Sequence, residues 1–153
     1  MNRAVTLATV DREYREAREY SEPYGWEFSE IDLEAQLFTV HLVSTADQAG
    51  YWLEFRFDDY PEKPYLIEFF RPDLGQRGTA ECYPKGTDSF FHPQFFICHA
   101  CSRKSYRELN GPHGDWDISN WRALAGGLTE LKYILDAIYH RISNKAHYDG
   151  RMG

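Results

Sequence analysis

A chain of 153 residues, 42% hydrophobic and 16% aromatic, has the length and apolar content of one folded domain (residues 1–153) with an aromatic-rich core. Its formal net charge of -7 excludes a nucleic-acid binder that works through overall basic charge, because neutralising phosphates needs clustered Lys and Arg. Three cysteines, no signal-like apolar start and no apolar run of about twenty residues point to a cytoplasmic protein with reduced thiols and no membrane span.

In chain order, the acids and bases of "DREYREAREY" alternate at helical spacing before Pro23, which predicts a short, largely solvated first helix over residues 11–20 with Asp11 able to cap it. From Trp26 the period changes. "WEFSEIDLEAQLFTVHLVS" reads as a strand, a break near residues 33–36 and a second strand over 37–44. "YWLEFRFDDY" alternates Leu53, Phe55 and Phe57 against Trp52, Glu54, Arg56 and Asp58, the pattern of a strand with one buried face. "KPYLIEFFRP" gives a fourth strand, joined to the third by "DDYPEKP", whose two prolines demand a rigid extended or turning connection. Asp58 and Asp59 read as a solvated edge, with no partner carboxylate to make a catalytic pair. An antiparallel four-stranded meander follows.

Residues 75–89 read as loop. After the loop "RELNGPHGDWD", the positions Trp121, Leu124, Leu128, Leu131, Leu135, Ile138 and Ile142 recur at helical spacing and predict one long C-terminal helix, with Gly126 and Gly127 as points of close packing on the sheet. The tail "NKAHYDGRMG" is expected to fray. The fold class is therefore α+β: N-terminal helix, meander, irregular loop, long helix.

The chemistry concentrates in "FFHPQFFICHACSRKS", residues 90–105, which holds Cys98 and Cys101. C-x2-C is half of a zinc site that His99, His113 or Cys82 can complete, although no second pair follows at a fixed spacing. A redox pair needs a strand-to-helix turn that Ser102 to Asn110 does not resemble. A nucleophile and a buried, inert core thiol remain as readings. His99, Arg103 and Lys104 beside the pair are expected to favour a thiolate electrostatically. Before a proline, His92 reads first as a turn residue bonded to backbone. Trp116 and Trp121 read as packing residues or as walls of a site, and Cys82 as structural or incidental.

Three segments resemble the ubiquitin-conjugating (E2) enzyme family. "FDDYPEKPYLIEF" resembles the strand–YPxxPP–strand signature, "FHPQ" resembles the HPN motif that precedes the active-site cysteine, and "DWDISNW" leading into "LTELKYILDAI" resembles the tryptophan and cross-over helix that follow it. The match runs in order from about Trp26 to Ile142. Gln94 stands where the motif has asparagine, and Tyr65 where it has the last proline. With one long helix after the cysteine, the chain is similar to bacterial E2-like proteins of antiphage (CBASS-type) operons.

What the resemblance implies is a UBC-like fold and an E2-like acyltransferase. A cysteine would take the C-terminus of a partner protein as a thioester and pass it to an amine, with no metal or nucleotide cofactor. The partner would be a protein with a C-terminal glycine, either ubiquitin-like or a cGAS-like nucleotidyltransferase, loaded with the help of an E1-like protein. Cys101, nine residues beyond His92, is the favoured nucleophile. Cys98, six residues beyond it but in the family's Ile-Cys context, is the runner-up. His92, Gln94 and Asn110 are supporting residues, the last two as candidate oxyanion donors. The alternative from a different class is a catalytically silent UBC-like or RWD-like protein-binding module.

Overall fold

Period-2 alternation governs the middle of the chain. In the computed structural model, which describes residues 3–153, strands β1 (Glu27–Phe28), β2 (Leu37–Val43), β3 (Gly50–Arg56), β4 (Leu66–Arg71) and β5 (Gln76–Arg77) form one antiparallel sheet in sequence order. Phe38, Val40 and Leu42 of β2, Tyr51, Leu53 and Phe55 of β3, and Ile67 and Phe69 of β4 are buried. Their register sets Phe38 beside Phe55 and Phe55 beside Ile67, so one face of the sheet is a continuous apolar surface.

The expected four strands are thus five. The fifth lies in residues 75–89, read as loop, and charge explains why two residues suffice. Glu54 and Glu68 stand directly opposite each other on β3 and β4, an arrangement that repels. Arg77 of β5 resolves it, its Nη2 lying 2.6 Å from Glu54 and 3.1 Å from Glu68, while Lys104 adds a contact of 3.2 Å to Glu68.

The first helix is longer and less solvated than its charge pattern predicts. Helix α1 spans Arg3–Tyr20 and buries Thr6, Val10, Glu13, Tyr14 and Ala17, a stripe at helical spacing that begins before Asp11. Its outer face carries the pairs Arg12–Glu16 and Arg15–Asp11.

The C-terminal helix is broken in two. Helix α2 is only Trp121–Leu124, and α3 is Leu131–Ile142. The cause is Gly126, which takes the left-handed conformation (φ 61°) just past the α2 cap residue Ala125. No atom lies within 4 Å of where a Cβ would stand on Gly126 or Gly127, so these glycines end a helix rather than admit a close neighbour. Leu124, expected in the core stripe, is 40% exposed, whereas Trp121, Leu131, Ile134, Leu135, Ile138 and Ile142 are buried.

Glu13 restarts the helix. Its carboxylate accepts the Leu131 N–H (3.0 Å) and the hydroxyls of Tyr60 (2.7 Å) and Tyr65 (3.1 Å), satisfying the first orphan donor of α3 from inside the core. The proline connection is held at the same place: Tyr60 and Tyr65 stack 3.9 Å apart, and Trp121 Nε1 donates to the Pro61 carbonyl (2.8 Å).

The tail does not fray. Residues Tyr148–Arg151 form β9, antiparallel to β6 (Pro84–Gly86), and the buried Tyr148 hydroxyl lies 2.6 Å from that of Tyr51 and donates to Asp47 (2.7 Å). Among the described residues no helix is long and apolar enough to cross a membrane.

Candidate active site

The cysteine run begins as a hairpin. Strands β7 (Phe91–His92) and β8 (Phe96–Ile97) pair Phe91 with Ile97 and His92 with Phe96, and Phe95 closes the tip with φ 69° and an N–H bond to His92 O (2.9 Å). Phe90, Phe91, Phe96 and Ile97 are buried, with Phe91 edge-on to Phe69 of the main sheet. These aromatics anchor the hairpin, and the Cys98 N–H extends the pairing to Phe90 O (2.8 Å).

Beyond Cys98 the chain turns inward. Ser105 Oγ accepts the His99 N–H (3.0 Å) and donates to Ile97 O (2.9 Å), while Tyr106 donates its hydroxyl to Ala100 O (2.6 Å). Cys101 is carried into the core by this turn. It is 1% exposed, and desolvation pushes its thiol up to about 12. Cys101, the nucleophile favoured from the sequence, is therefore closed to solvent. Cys82 is fully buried as well.

Cys98 is the partly exposed cysteine of the three. Its Sγ lies 3.2 Å from Nε2 of His113, within hydrogen-bonding range for sulfur. Burial raises the Cys98 pKa, so the thiol rests protonated beside a ring that can receive its proton. His113 is held from behind by Trp116, whose ring is stacked on it with centroids 3.6 Å and planes 7° apart. The His113 backbone N–H donates to Ser105 O (3.2 Å).

Gly111 permits this approach. A Cβ there would stand 2.2 Å from the carbonyl carbon and 2.3 Å from the carbonyl oxygen of Ser105, and 2.4 Å from the carbonyl oxygen of Lys104, distances that backbone atoms cannot yield. Only glycine lets residues 110–116 cross over the cysteine turn and deliver His113 to Cys98.

The neighbouring cations do not serve the cysteines as expected. Arg103 is buried and directs its Nε to Pro64 O (2.9 Å) and its Nη1 to Asp58 (3.2 Å), and Lys104 pairs with Glu68. His99 accepts the Cys101 N–H on Nδ1 (3.1 Å), and desolvation with the nearby Arg141 charge lowers its pKa.

His92 stacks on Phe96 at 4.4 Å and accepts the Gln94 N–H on Nδ1 (3.1 Å), the turn role its position before proline predicts. Gln94 and Asn110 are brought together: both are exposed, and both line a groove of about 430 Å³ with Leu66, Phe95, Phe96 and Lys104. Neither cysteine is among the residues lining it. Among the described residues no group of three or more His, Cys, Asp or Glu side chains is arranged to hold a metal ion.

His113 and Trp116 stand beside Cys98, whereas the sequence reading offered the one as a possible zinc ligand and the other as packing or the wall of a site. The available signal was the Gly-Pro-rich loop "NGPHGDW", which marks a tight excursion without saying what it meets. Compared with known families and curated proteins, the chain matches no family model and no curated protein.

Proposed function

We propose that this protein is an E2-like acyltransferase on a UBC-like fold, with Cys98 rather than Cys101 as its nucleophile. The observation that carries the reading is the half-buried Cys98 sulfur 3.2 Å from His113, set at the exit of the His92-Pro93 hairpin. The order of the motifs supports it. The proline connection, the cysteine turn and Trp121 are tied together by Arg103 to Pro64 and Trp121 to Pro61.

In the cycle, the Cys98 thiolate attacks the thioester carbonyl of a partner's C-terminal glycine. The new S–C bond replaces the old one, and the carrier leaves as a thiolate that takes up the proton removed from Cys98, so that the His113 ring ends neutral. His113 takes the Cys98 proton as the sulfur becomes a nucleophile. A lysine amine then attacks the acyl carbon, forming an amide and returning Cys98. Gln94 and Asn110 line a common groove that neither cysteine lines, so no oxyanion role is assigned to their amides. The partner we favour is a cGAS-like nucleotidyltransferase or a ubiquitin-like protein, loaded through an E1-like enzyme in an antiphage setting. That assignment rests on the resemblance of the motifs.

The test is loading from a small donor. A peptide ending in glycine, supplied as a mercaptoethanesulfonate thioester, should add its acyl mass to the wild type and to Cys101→Ala, and not to Cys98→Ala. Excess small thiol should remove it. Acylation mapped to Cys101 reverses the nucleophile assignment. No acylation of the folded protein identifies the silent binding module instead.

A further inference from the structure

We propose that the Cys98–His113 dyad also hydrolyses the thioester it forms, discharging the partner's C-terminus as a free carboxylate when no amine acceptor arrives. This rests on Cys98 being the acylated residue, and it goes beyond conjugation to a second, hydrolytic activity of the same site.

Transfer between thioesters leaves little for a general base to do once the thiolate exists, because the acyl group is already activated and positioning dominates. A histidine on the sulfur has its largest effect on a neutral nucleophile that must lose a proton as it attacks. Water is such a nucleophile. His113 Nε2 lies 3.2 Å from Sγ, and an acyl carbon bonded to that sulfur is one bond further away, which leaves a water between the ring and the carbonyl as the natural bridge. Both Cys98 and His113 are partly exposed, so water reaches them without an opening motion.

Trp116 suits the same role. Stacked at 3.6 Å, it fixes the plane of the imidazole and presents an indole face to a ring that becomes cationic when it takes the water proton. In the step, the water oxygen bonds to the acyl carbon while His113 accepts a proton. The tetrahedral intermediate then breaks its C–S bond, and the imidazolium returns the proton to Sγ. The balance is thioester plus water giving carboxylic acid plus Cys98 thiol. The Cys98 N–H, which would be the nearest backbone oxyanion donor, is engaged by Phe90 O, so the discharge is slow and the loaded enzyme has time to meet an amine.

The acyl-enzyme made from the glycine-terminated peptide thioester is desalted, and its decay to free peptide acid is followed by intact mass and chromatography without amines. Wild-type decay should outrun that of the same peptide on N-acetylcysteine, and His113→Gln, which lacks the Cys98 proton acceptor and is therefore loaded by longer incubation, should hold its acyl group on the order of 100-fold longer. The comparison with N-acetylcysteine needs no variant and stands even if His113→Gln fails to fold. Loading at Cys98 followed by decay no faster than N-acetylcysteine overturns the hydrolysis while leaving the conjugating reading intact. Failure of Cys98 to load overturns both.

Discussion

Arg103 donates its Nε to the carbonyl oxygen of Pro64 at 2.9 Å, bolting the cysteine turn to the proline connection between β3 and β4. The Arg103 N–H bonds the neighbouring Tyr65 O at 3.1 Å, and Nη1 reaches Asp58 at 3.2 Å. One buried guanidinium thus holds two segments that lie almost forty residues apart, and its planar fork is what reaches several acceptors at once.

Arg103→Lys should therefore behave as a severe change. A single ammonium does not reproduce the fork that serves Pro64 O and the half-exposed Asp58 at once, and abandoning the buried Pro64 acceptor costs about 1–3 kcal/mol. Urea unfolding should show this loss, and the turn should loosen enough for Cys101 to react with iodoacetamide in the native protein. Unchanged stability and a still silent Cys101 would show that the turn is held by other contacts.

The three thiols should separate by reactivity. Cys98 should alkylate first and Cys101 and Cys82 only on unfolding, as read by peptide mass spectrometry after brief iodoacetamide treatment. The sign of the pH dependence follows from burial. Because the neutral thiol is favoured, the Cys98 thiolate fraction is small at neutral pH and its labelling rate keeps climbing past the ordinary thiol range of about 8.5. Cys101, pushed up to about 12, should stay silent over the whole accessible range. A plateau for Cys98 below that ordinary value would mean that its thiolate is stabilised in solution.

Much of the frame was legible because it is written locally. Alternation in "YWLEFRF" and "YLIEFF" fixes strands whatever else happens, and paired prolines fix the connection between them. What escaped depends on partners distant in sequence. The stripe from Trp121 to Ile142 looks continuous because core-facing residues resume after the break, so only the left-handed Gly126 reveals it. β9 exists through pairing with β6, which composition cannot announce. Which of Cys98 and Cys101 lies buried is set by a turn that Arg103 pins, and spacing from His92 carries no information about which sulfur that turn buries. His113 was legible only as one of several possible zinc ligands for the same reason: its place is set by the close passage of Gly111 over Ser105.

Gly111→Ala isolates that passage. Its methyl group would meet Ser105 backbone at 2.2 Å, so residues 110–116 must lift and the His113–Cys98 contact must break while the sheet remains folded. In the wild type, the His113 ring protons should carry upfield NMR shifts from the stacked Trp116 face. In Gly111→Ala these should move toward free-histidine values, together with slower discharge of the loaded enzyme. Retained shifts would mean that the loop accommodates the methyl without moving His113.

Glu13 gives the sharpest test of the core. It is 1% exposed, and desolvation raises its pKa against the opposing hydrogen bonds of Tyr60, Leu131 N–H and Tyr65. A carboxyl with a raised folded pKa binds its proton more tightly in the native state than in the unfolded chain. Its contribution to stability is therefore full below the unfolded value and declines as pH rises through the folded one. Glu13→Gln should remove that decline. An amide oxygen at the Oε1 position keeps the Leu131 and tyrosine bonds, and its NH2 faces the Tyr60 oxygen, so stability at pH 7 should match or exceed wild type by up to about 1 kcal/mol. Glu13→Ala instead strands the Leu131 N–H and the Tyr65 hydroxyl, leaves Tyr60 only its 3.2 Å bond to Thr129 O, and should lose about 3 kcal/mol or more. Equal losses in the two variants, measured by urea unfolding between pH 5 and 8, would show that the negative charge at the start of α3, rather than the hydrogen bonds it accepts, holds α1 against α3.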